Sequence, residues 1–593
     1  MGLHPSLLRL APVLGFCLLA LLSGCSDSEG LHDEELVENE ATRPLPDSLS
    51  VSTPDSPLIH MEIVEDFSEE VANEMLGFSD KLRRRDFGAA AEWLAPDFVG
   101  HALSGLTPDS LESLPLESTR TEFLPASAPI VGRAGFLAAL ESYVGPWERV
   151  EYVQWKVKGA EFQTGKPRWG RVKYRVTVLG NAEDGSPRSL VAWGYGKQLF
   201  RDGKWTLQQF ELTSLVEQQR AKRLFTDVSA SAGIAHAGIR FGQPGNKSFA
   251  FNGASAGDVN GDGLVDLFVP SRPRNFLYMG KAEGGFSEEA ADRGVAQPAG
   301  GTGAVFFDWD DDGDADLALA DVGWIERDGT PSGNPLRLYI NDGTGLFTER
   351  GEEFGFDALC NGYSLTVLDD TLDGALDVFV SNYGRIAAEP NNSWTDASNG
   401  MSNILYRNEG GTRFQDKTAD AGMTDSRWSY AAAAADHDLD GDQDVYVAND
   451  YSRNIFWENQ GDGTFQDAAE SLGLSDLGNG MGTAWGDLDN NGMLDLYVAN
   501  MTSTAGSRIL GRLAGQSEGD TQDLLKMAGG NSIFLNSPTE TDTESSFERL
   551  PGSEGGVSAS WAWSPALADL NLDGNLDVFC TNGFVTGDTA ADT

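Results

Sequence analysis

The chain runs to 593 residues, with a formal net charge of −49 and hydrophobic and aromatic fractions of 40% and 10%. That length holds two or three domains with full cores, and so apolar a composition excludes a disordered acidic chain. The excess of carboxylates argues against a nucleic-acid partner and for cations.

Residues 1–25 open with a short segment bearing Arg9, continue as an apolar run over 10–22 and end in Leu22-Ser23-Gly24-Cys25. The run is short for a bilayer-spanning helix, and small residues before a cysteine suit a cleavage site. The segment resembles a bacterial lipoprotein signal with its lipobox. That resemblance implies an exported protein whose first mature residue, Cys25, carries the lipid, and Ser26 after it implies the outer membrane or cell surface. A retained transmembrane anchor is the alternative. Residues 26–59, acidic and then rich in Pro and Ser without any period, read as a flexible tether from that membrane.

A separate domain is expected over 60–215. Val71, Met75, Phe78 and Leu82 mark one helical face, residues 87–94 suggest a second helix stopping at Pro96, and 136–140 fits a third. Val153, Trp155 and Val157 alternate as in a strand, as do Val172, Tyr174, Val176 and Val178, and Asp202-Gly203 reads as a hairpin turn toward Trp205 and Leu207. Helices followed by antiparallel strands give an α+β domain. The order is similar to the nuclear transport factor 2-like, or SnoaL-like, cone, which hosts both enzymes and ligand pockets. Asp86 and His101 are its candidate polar residues. Residues 216–223 are expected to form a short helical linker, and 224–228 to supply a strand fragment at the start of the next domain.

Over 224–593 one loop recurs six times. In Asp308-Trp309-Asp310-Asp311-Asp312-Gly313-Asp314-Ala315-Asp316, carboxylates occupy positions 1, 3, 5 and 9, and glycine sits at position 6. Alternate carboxylates on a tight turn converge into an oxygen cage for calcium, and without a cation they repel one another. The first copy is Asp258, Asn260, Asp262 and Asp266; the loop just quoted, Asp308, Asp310, Asp312 and Asp316, is the second; the third is Asp369, Thr371, Asp373 and Asp377, with a weaker ligand in Thr371. The fourth is Asp436, Asp438, Asp440 and Asp444; the fifth Asp487, Asp489, Asn491 and Asp495; the sixth Asp569, Asn571, Asp573 and Asp577.

These are not EF-hands, which need a glutamate at position 12. Here that position holds Val269, Leu319, Val380, Val447, Val498 and Cys580, inside short apolar strands. Small residues precede the loops, as in 253–257 and 431–435, and suit strands crowded at an axis. An Asn-x-Leu/Phe-Tyr/Trp motif follows, at Asn275, Asn403 and Asn454 with a variant at Asn531, and then a Gly-rich turn ending in Phe347 or Phe465. Loop starts lie 50, 61, 67, 51 and 82 residues apart, room for four short strands each, the size of a propeller blade.

The pattern resembles the FG-GAP/VCBS repeats of integrin-type propellers, and the cartilage acidic protein group in particular. It implies a mainly β fold, a six- or seven-bladed calcium-binding β-propeller after the small cone-like domain, with Ca²⁺ at the loop residues named above. Relatives often continue into further strands and a C-terminal domain; here the sequence stops short of them, so either the last blade is built differently or the chain is truncated, and N- and C-terminal strands commonly close the ring within one blade. Cys360 and Cys580 fall in different repeats and are expected as buried thiols, not a disulfide. His437, at a non-ligand position of the fourth loop, is expected to point outward.

Two functions stay open. One is a calcium-stabilised surface scaffold recognising protein or carbohydrate; the other is a propeller enzyme acting on polysaccharide or another polymer. The sequence carries no zinc motif, nucleophile elbow or phosphate loop, which favours the scaffold.

Overall fold

A computed structural model describes residues 57–582, apart from 164–166, 236–252, 272–273, 299–302, 322–323, 326–330, 333–334, 385–388, 502–522, 524–525, 528, 539–544 and 551–561. Cys25, the export segment, the tether up to residue 56, His236 and the last residues from 583 lie outside the described residues. The chain divides into two compact units, one ending at Asp227 and the other beginning at Val228.

In the first unit, α1 (Pro57–Arg83) buries Val64, Val71, Met75, Phe78 and Leu82, a stripe at helical spacing that packs on one face of a sheet. Ser68 and Ser79 share the stripe, and their hydroxyls donate back to the carbonyls of Val64 and Met75 at 2.6 and 2.7 Å. The expected second helix is shorter than its sequence suggests. α2 (Phe87–Ala90) gives way to a 3₁₀ turn, and Leu94–His101 is a strand. Its pairing with Lys204–Arg220 slips between Leu94 and Val99, so Pro96 sits at an irregularity that spares a ladder bond. α3 (Arg133–Val144) buries Phe136, Leu137, Leu140 and Val144 as expected.

The sheet runs in the order Pro108–Leu114, Ser118–Phe123, Lys204–Arg220, Pro187–Arg201, Trp169–Asn181, Arg149–Gln163. Asp202 and Gly203 take φ of 51° and 85°, the left-handed pair of a two-residue hairpin. The helical linker expected over 216–223 is overturned: Val216 to Arg220 continue the last strand, pairing with residues 188–191 and with Ser118 to Glu122. That partner hairpin is solvent-facing and shows no apolar alternation, so the sequence signalled neither it nor the strand end it holds.

In the second unit, five four-stranded antiparallel sheets and a last two-stranded sheet follow one another along the chain, and a further two-stranded pair, Trp324–Ile325 with Pro331–Ser332, lies between the second and third strands of the second sheet. Their first strands are Ser255–Gly257, Ala304–Phe307, Gly362–Leu368, Trp428–Ala435, Gly480–Gly486 and Ala562–Ala568. Their second strands are Asp266–Val269, Asp316–Leu319, Asp377–Asn382, Asp444–Asp450, Asp495–Asn500 and Asp577–Asn582. Third strands such as Arg337–Asn341, Ile404–Asn408, Ile455–Asn459 and Ser532–Pro538 complete the pattern, with a short outer strand opening on Phe286, Phe347, Phe414 or Phe465.

Cores lie between consecutive sheets, and the period of two in the second strands builds them. Leu317 and Leu319 pack toward the first sheet beside Phe268 and Leu277, while Ala318 and Ala320 pack toward the third beside Val378 and Val380. The first strands of the second to sixth sheets, with Gly253 and Ala254 just before the first strand of the first sheet, line one cavity. Cys360 is buried, Cys580 is half-buried, and both are free thiols. Residues 224–228 form no strand, and Phe225 is 65% exposed; the pairing that would have covered it does not occur among the described residues.

An aromatic cluster of Tyr363, Tyr383, Trp428 and their neighbours Tyr430 and Tyr451 joins the third and fourth sheets. It encloses the carboxyl of Asp450, which accepts the Tyr383 hydroxyl. Burial pushes Asp450 up to about 7, against the opposing pull of the Tyr383 and Tyr451 hydroxyls. A folded-state pKa above the unfolded one favours folding most below pH 4, and that contribution is lost as pH rises toward 7. Asp450→Asn should therefore raise the melting temperature relative to wild type more at pH 8 than at pH 5. Thermal unfolding of both proteins at the two pH values checks this, and an equal difference at both would refute it.

Candidate metal centre

Each acidic loop joins the first two strands of its sheet, and its shape is set by backbone hydrogen bonds to the carboxylate at position 1. Asp308 accepts the amides of Asp312 and Gly313 at 3.2 and 3.0 Å. The same pair of bonds recurs at Asp258, Asp369, Asp487 and Asp569, and Asp436 accepts Gly441 at 3.1 Å. Those amides point inward because positions 4 and 6 are both left-handed. Glycine serves at position 6, whereas position 4 is occupied by Asp311, Leu372, Leu439, Asn490 and Leu572 with φ of 56–65°. At position 5 the side chain of Asp262, Asp312, Asp373, Asp440, Asn491 or Asp573 accepts the amide two residues on, an Asx turn.

Position 9 has a role that the spacing did not reveal. Asp266, Asp316, Asp377, Asp444 and Asp495 are almost fully buried, and each ties its own loop to the third strand. Asp377 accepts the amides of Asp370 and Asn408 at 3.0 and 2.8 Å; Asp495 accepts those of Leu488 and Asn536, both at 2.7 Å. The asparagine that closes the third strand then reaches the preceding sheet. Its amide donates to the carbonyl of the position-2 residue there: Asn341 to Val259, Asn408 to Trp309, Asn459 to Asp370 and Asn536 to His437, at 2.6–3.0 Å. The signal was present two residues after the aromatic residue of the motif, at Asn408 after Tyr406 and Asn459 after Trp457, but nothing local marks it as a bond between sheets. The motif asparagines themselves cap the second strand, as Asn403 does for the Asn382 amide and Asn454 for Asn449, both at 2.8 Å.

His437 does not point outward. It is 2% exposed, its Nδ1 lies 2.6 Å from Asp444 Oδ2, and its ring packs on Phe456 and Phe547. Position 2 is a plug between sheets, filled elsewhere by Val259, Trp309 and Asp370.

The predicted ligands converge to different degrees. Carboxylate oxygens of Asp308, Asp310 and Asp316 lie within 4.8 Å of one another, as do those of Asp436, Asp438 and Asp440, and of Asp487, Asp489 and Asp495. Among the described residues, the first, third and sixth loops bring no such trio together: Asn260 turns its amide to Asp262 at 3.0 Å, Thr371 is exposed, and Asn571 replaces the third carboxylate. The donor set fits a hard cation. Its side chains at positions 1, 3, 5 and 9 offer carboxylate, amide or hydroxyl oxygens, and Oδ1 of Asp310 and of Asp436 is buried with no hydrogen-bond partner among the described residues. Burial, followed by the charges of Asp312 and Asp308, raises Asp310, and burial pushes Asp316 up to about 7. Repulsion of this kind is what a bound cation relieves.

The asparagine bonds between sheets should be measurable alone. Asn459→Ala leaves the Asp370 carbonyl without its partner and should cost about 1–3 kcal/mol, read as a lower urea midpoint at unchanged slope. A variant as stable as wild type would show that the bond holds nothing.

Comparison with known proteins agrees with this local picture. A family model described as an FG-GAP-like repeat matches residues 258–319 and 436–498, which span the first and second and the fourth and fifth loops. Cartilage acidic protein 1 of Homo sapiens is 25% identical over 149 residues, covering 25% of this chain and 22% of that protein; the chain thus spans about a fifth of that relative's length. Among solved structures, a putative scytalone dehydratase from Novosphingobium aromaticivorans is 13% identical with a TM-score of 0.19, covering 26% of this chain and 86% of its own. The V. cholerae biofilm matrix protein Bap1 is 15% identical with a TM-score of 0.27, covering 53% of this chain and 41% of its own. Neither structural likeness extends to function.

Proposed function

We propose that the second unit is a calcium-stabilised β-propeller of six blades that serves as a rigid recognition scaffold for protein or carbohydrate, exported and held at a membrane through lipid on Cys25. The observation that carries this reading is the convergence of carboxylates in the second, fourth and fifth loops, with oxygens of Asp310 and Asp436 left unpaired. Calcium is favoured because the donors are carboxylate, amide and backbone oxygens on a flexible turn. Asp308, Asp310 and Asp316, with Asp312 beside them, would hold the ion in the second loop, Asp436, Asp438 and Asp440 in the fourth, and Asp487, Asp489 and Asp495 in the fifth. The lining of one cavity by residues in or just before all six first strands supports a ring. Among the described residues no helix is long and apolar enough to cross a membrane.

Sites of this kind bind at roughly 10⁻⁴ to 10⁻³ M. With a Kd of about 10⁻⁴ M and millimolar calcium, each site adds on the order of 1.4 kcal/mol. Chelation should therefore lower the melting temperature, Asp312→Ala should remove one calcium from the measured stoichiometry, and Thr371→Asp should strengthen the third site. Calorimetry with a calcium count tests this, and a protein that melts identically in chelator and binds no calcium would end the reading. Labelling with a palmitate analogue tests the anchor: wild type should label and Cys25→Ser should not.

A further inference from the structure

Four of the first strands carry the same irregularity at the same place. Their register against the second strand slips between Gly362 and Ser364, Ser429 and Ala431, Gly480 and Gly482, and Ala562 and Pro565. The extra residues are Tyr363, Tyr430 and Met481, with Trp563 and Ser564 at the last slip. Each of Tyr363, Tyr430, Met481 and Trp563 stands six residues before position 1 of its loop. A bulge re-aims a side chain out of the regular pleat, and all four of these line the central cavity of about 270 Å³.

The walls of that cavity are unequal. Ring centroids of Tyr363 and Tyr430 lie 4.3 Å apart, and those of Tyr430 and Trp563 5.7 Å apart, so the rings form one continuous surface and not a box with separated sides. Gly253, Ala254, Gly303 and Ala304 line the cavity with nothing larger than a methyl group, which exposes their backbone. Thr483 adds a hydroxyl that is buried and has no hydrogen-bond partner among the described residues. No charged side chain lines the cavity among the described residues.

We propose that this axial cavity binds one neutral hexopyranose ring, its C–H face on Tyr430 and Trp563 and its hydroxyls on Thr483 and the small-residue backbone. The volume, near the lower end of ligand pockets at roughly 300 Å³, suits a single ring. An acidic sugar would find no cation in a lining without charge. A quaternary ammonium would want aromatic faces on several sides, and a wholly apolar ligand would leave the Thr483 hydroxyl unpaired. The proposal rests on the ring of six sheets inferred above, and it names the ligand class of that scaffold.

The test is a titration of the full chain in millimolar calcium with glucose, galactose, mannose and N-acetylglucosamine, followed by tryptophan fluorescence and calorimetry. Tetramethylammonium and galacturonate serve as contrasting probes. Saturable binding of at least one neutral sugar is expected. Tyr430→Ala and Trp563→Ala should weaken it about tenfold or more, and Thr483→Val, which keeps the side chain's shape, should weaken it without lowering the calcium count or the melting temperature. Absence of saturable binding by all four sugars, tighter binding of tetramethylammonium or galacturonate, or full binding by Thr483→Val together with either aromatic variant would overturn the proposal. Intact calcium binding without sugar binding overturns this inference alone, and sugar binding by a chain that holds no calcium supports it while overturning the metal reading.

Discussion

The repeat depends on a buried carboxylate. Placing Asp316, Asp377, Asp444 or Asp495 in the interior costs several kcal/mol unless its oxygens are hydrogen-bonded, and in each case two backbone amides meet that need, one from its own loop and one from the third strand. Hydrogen bonds to a charged acceptor are among the stronger ones, about 1.5–3 kcal/mol net. The amide supplied by the third strand belongs to the asparagine whose side chain crosses to the preceding sheet. One carboxylate thus fixes the loop, the third strand and, through that asparagine, the neighbouring sheet. The apolar side chains between sheets supply burial, while these directional bonds choose the register in which it happens.

The same carboxylate frame explains how the loops tolerate strain. Leu372, Leu439 and Leu572 hold left-handed backbone at position 4 with φ of 56°, 65° and 61°, a conformation that costs an L-residue about 1–2 kcal/mol. Their side chains are 60%, 62% and 89% exposed, so no packing offsets that cost. The gain lies in the amides that the turn delivers to position 1. The position-1 and position-9 bonds hold the curl of the loop from within the chain, so the cation proposed above would meet a turn that is already hydrogen-bonded.

Much of this was legible because it repeats. The acidic spacing located the loops, the apolar run after each loop located the second strands, and the Asn-x-Leu-Tyr motif located the third. What the sequence hid were bonds whose two ends lie far apart in the chain. Asn459 and Asp370 are 89 residues apart, and His437 reads as an exposed loop residue until Phe456 and Phe547 are seen around it. In the first unit, Val216 to Arg220 were misread as helix because their partners, Ser118 to Glu122, carry no strand signal of their own. Pro96 reads as a helix stop, but the helical stretch already ends at Trp93, and Pro96 lies inside a strand whose slipped register accommodates it. Aromatic residues at 363, 430 and 563 look like ordinary strand content. Only the pairing register shows that they are extra residues turned toward the axis.

The geometry also separates two tasks along one strand. Position 1 of each loop and the bulged residue stand at opposite ends of the first strand, six residues or about 20 Å apart at strand rise. The acidic loops therefore occupy one end of the sheets and the aromatic wall the other. Cross-sheet bonds run between them along the first strands, from Thr366 to the Ala432 carbonyl at 2.9 Å and from the Ala432 amide to Ser364 at 3.2 Å. On the functions proposed above, a cation at the turn and a ligand at the bulged side chains would act at opposite ends of the same strands, so sequence change at one end need not disturb the other.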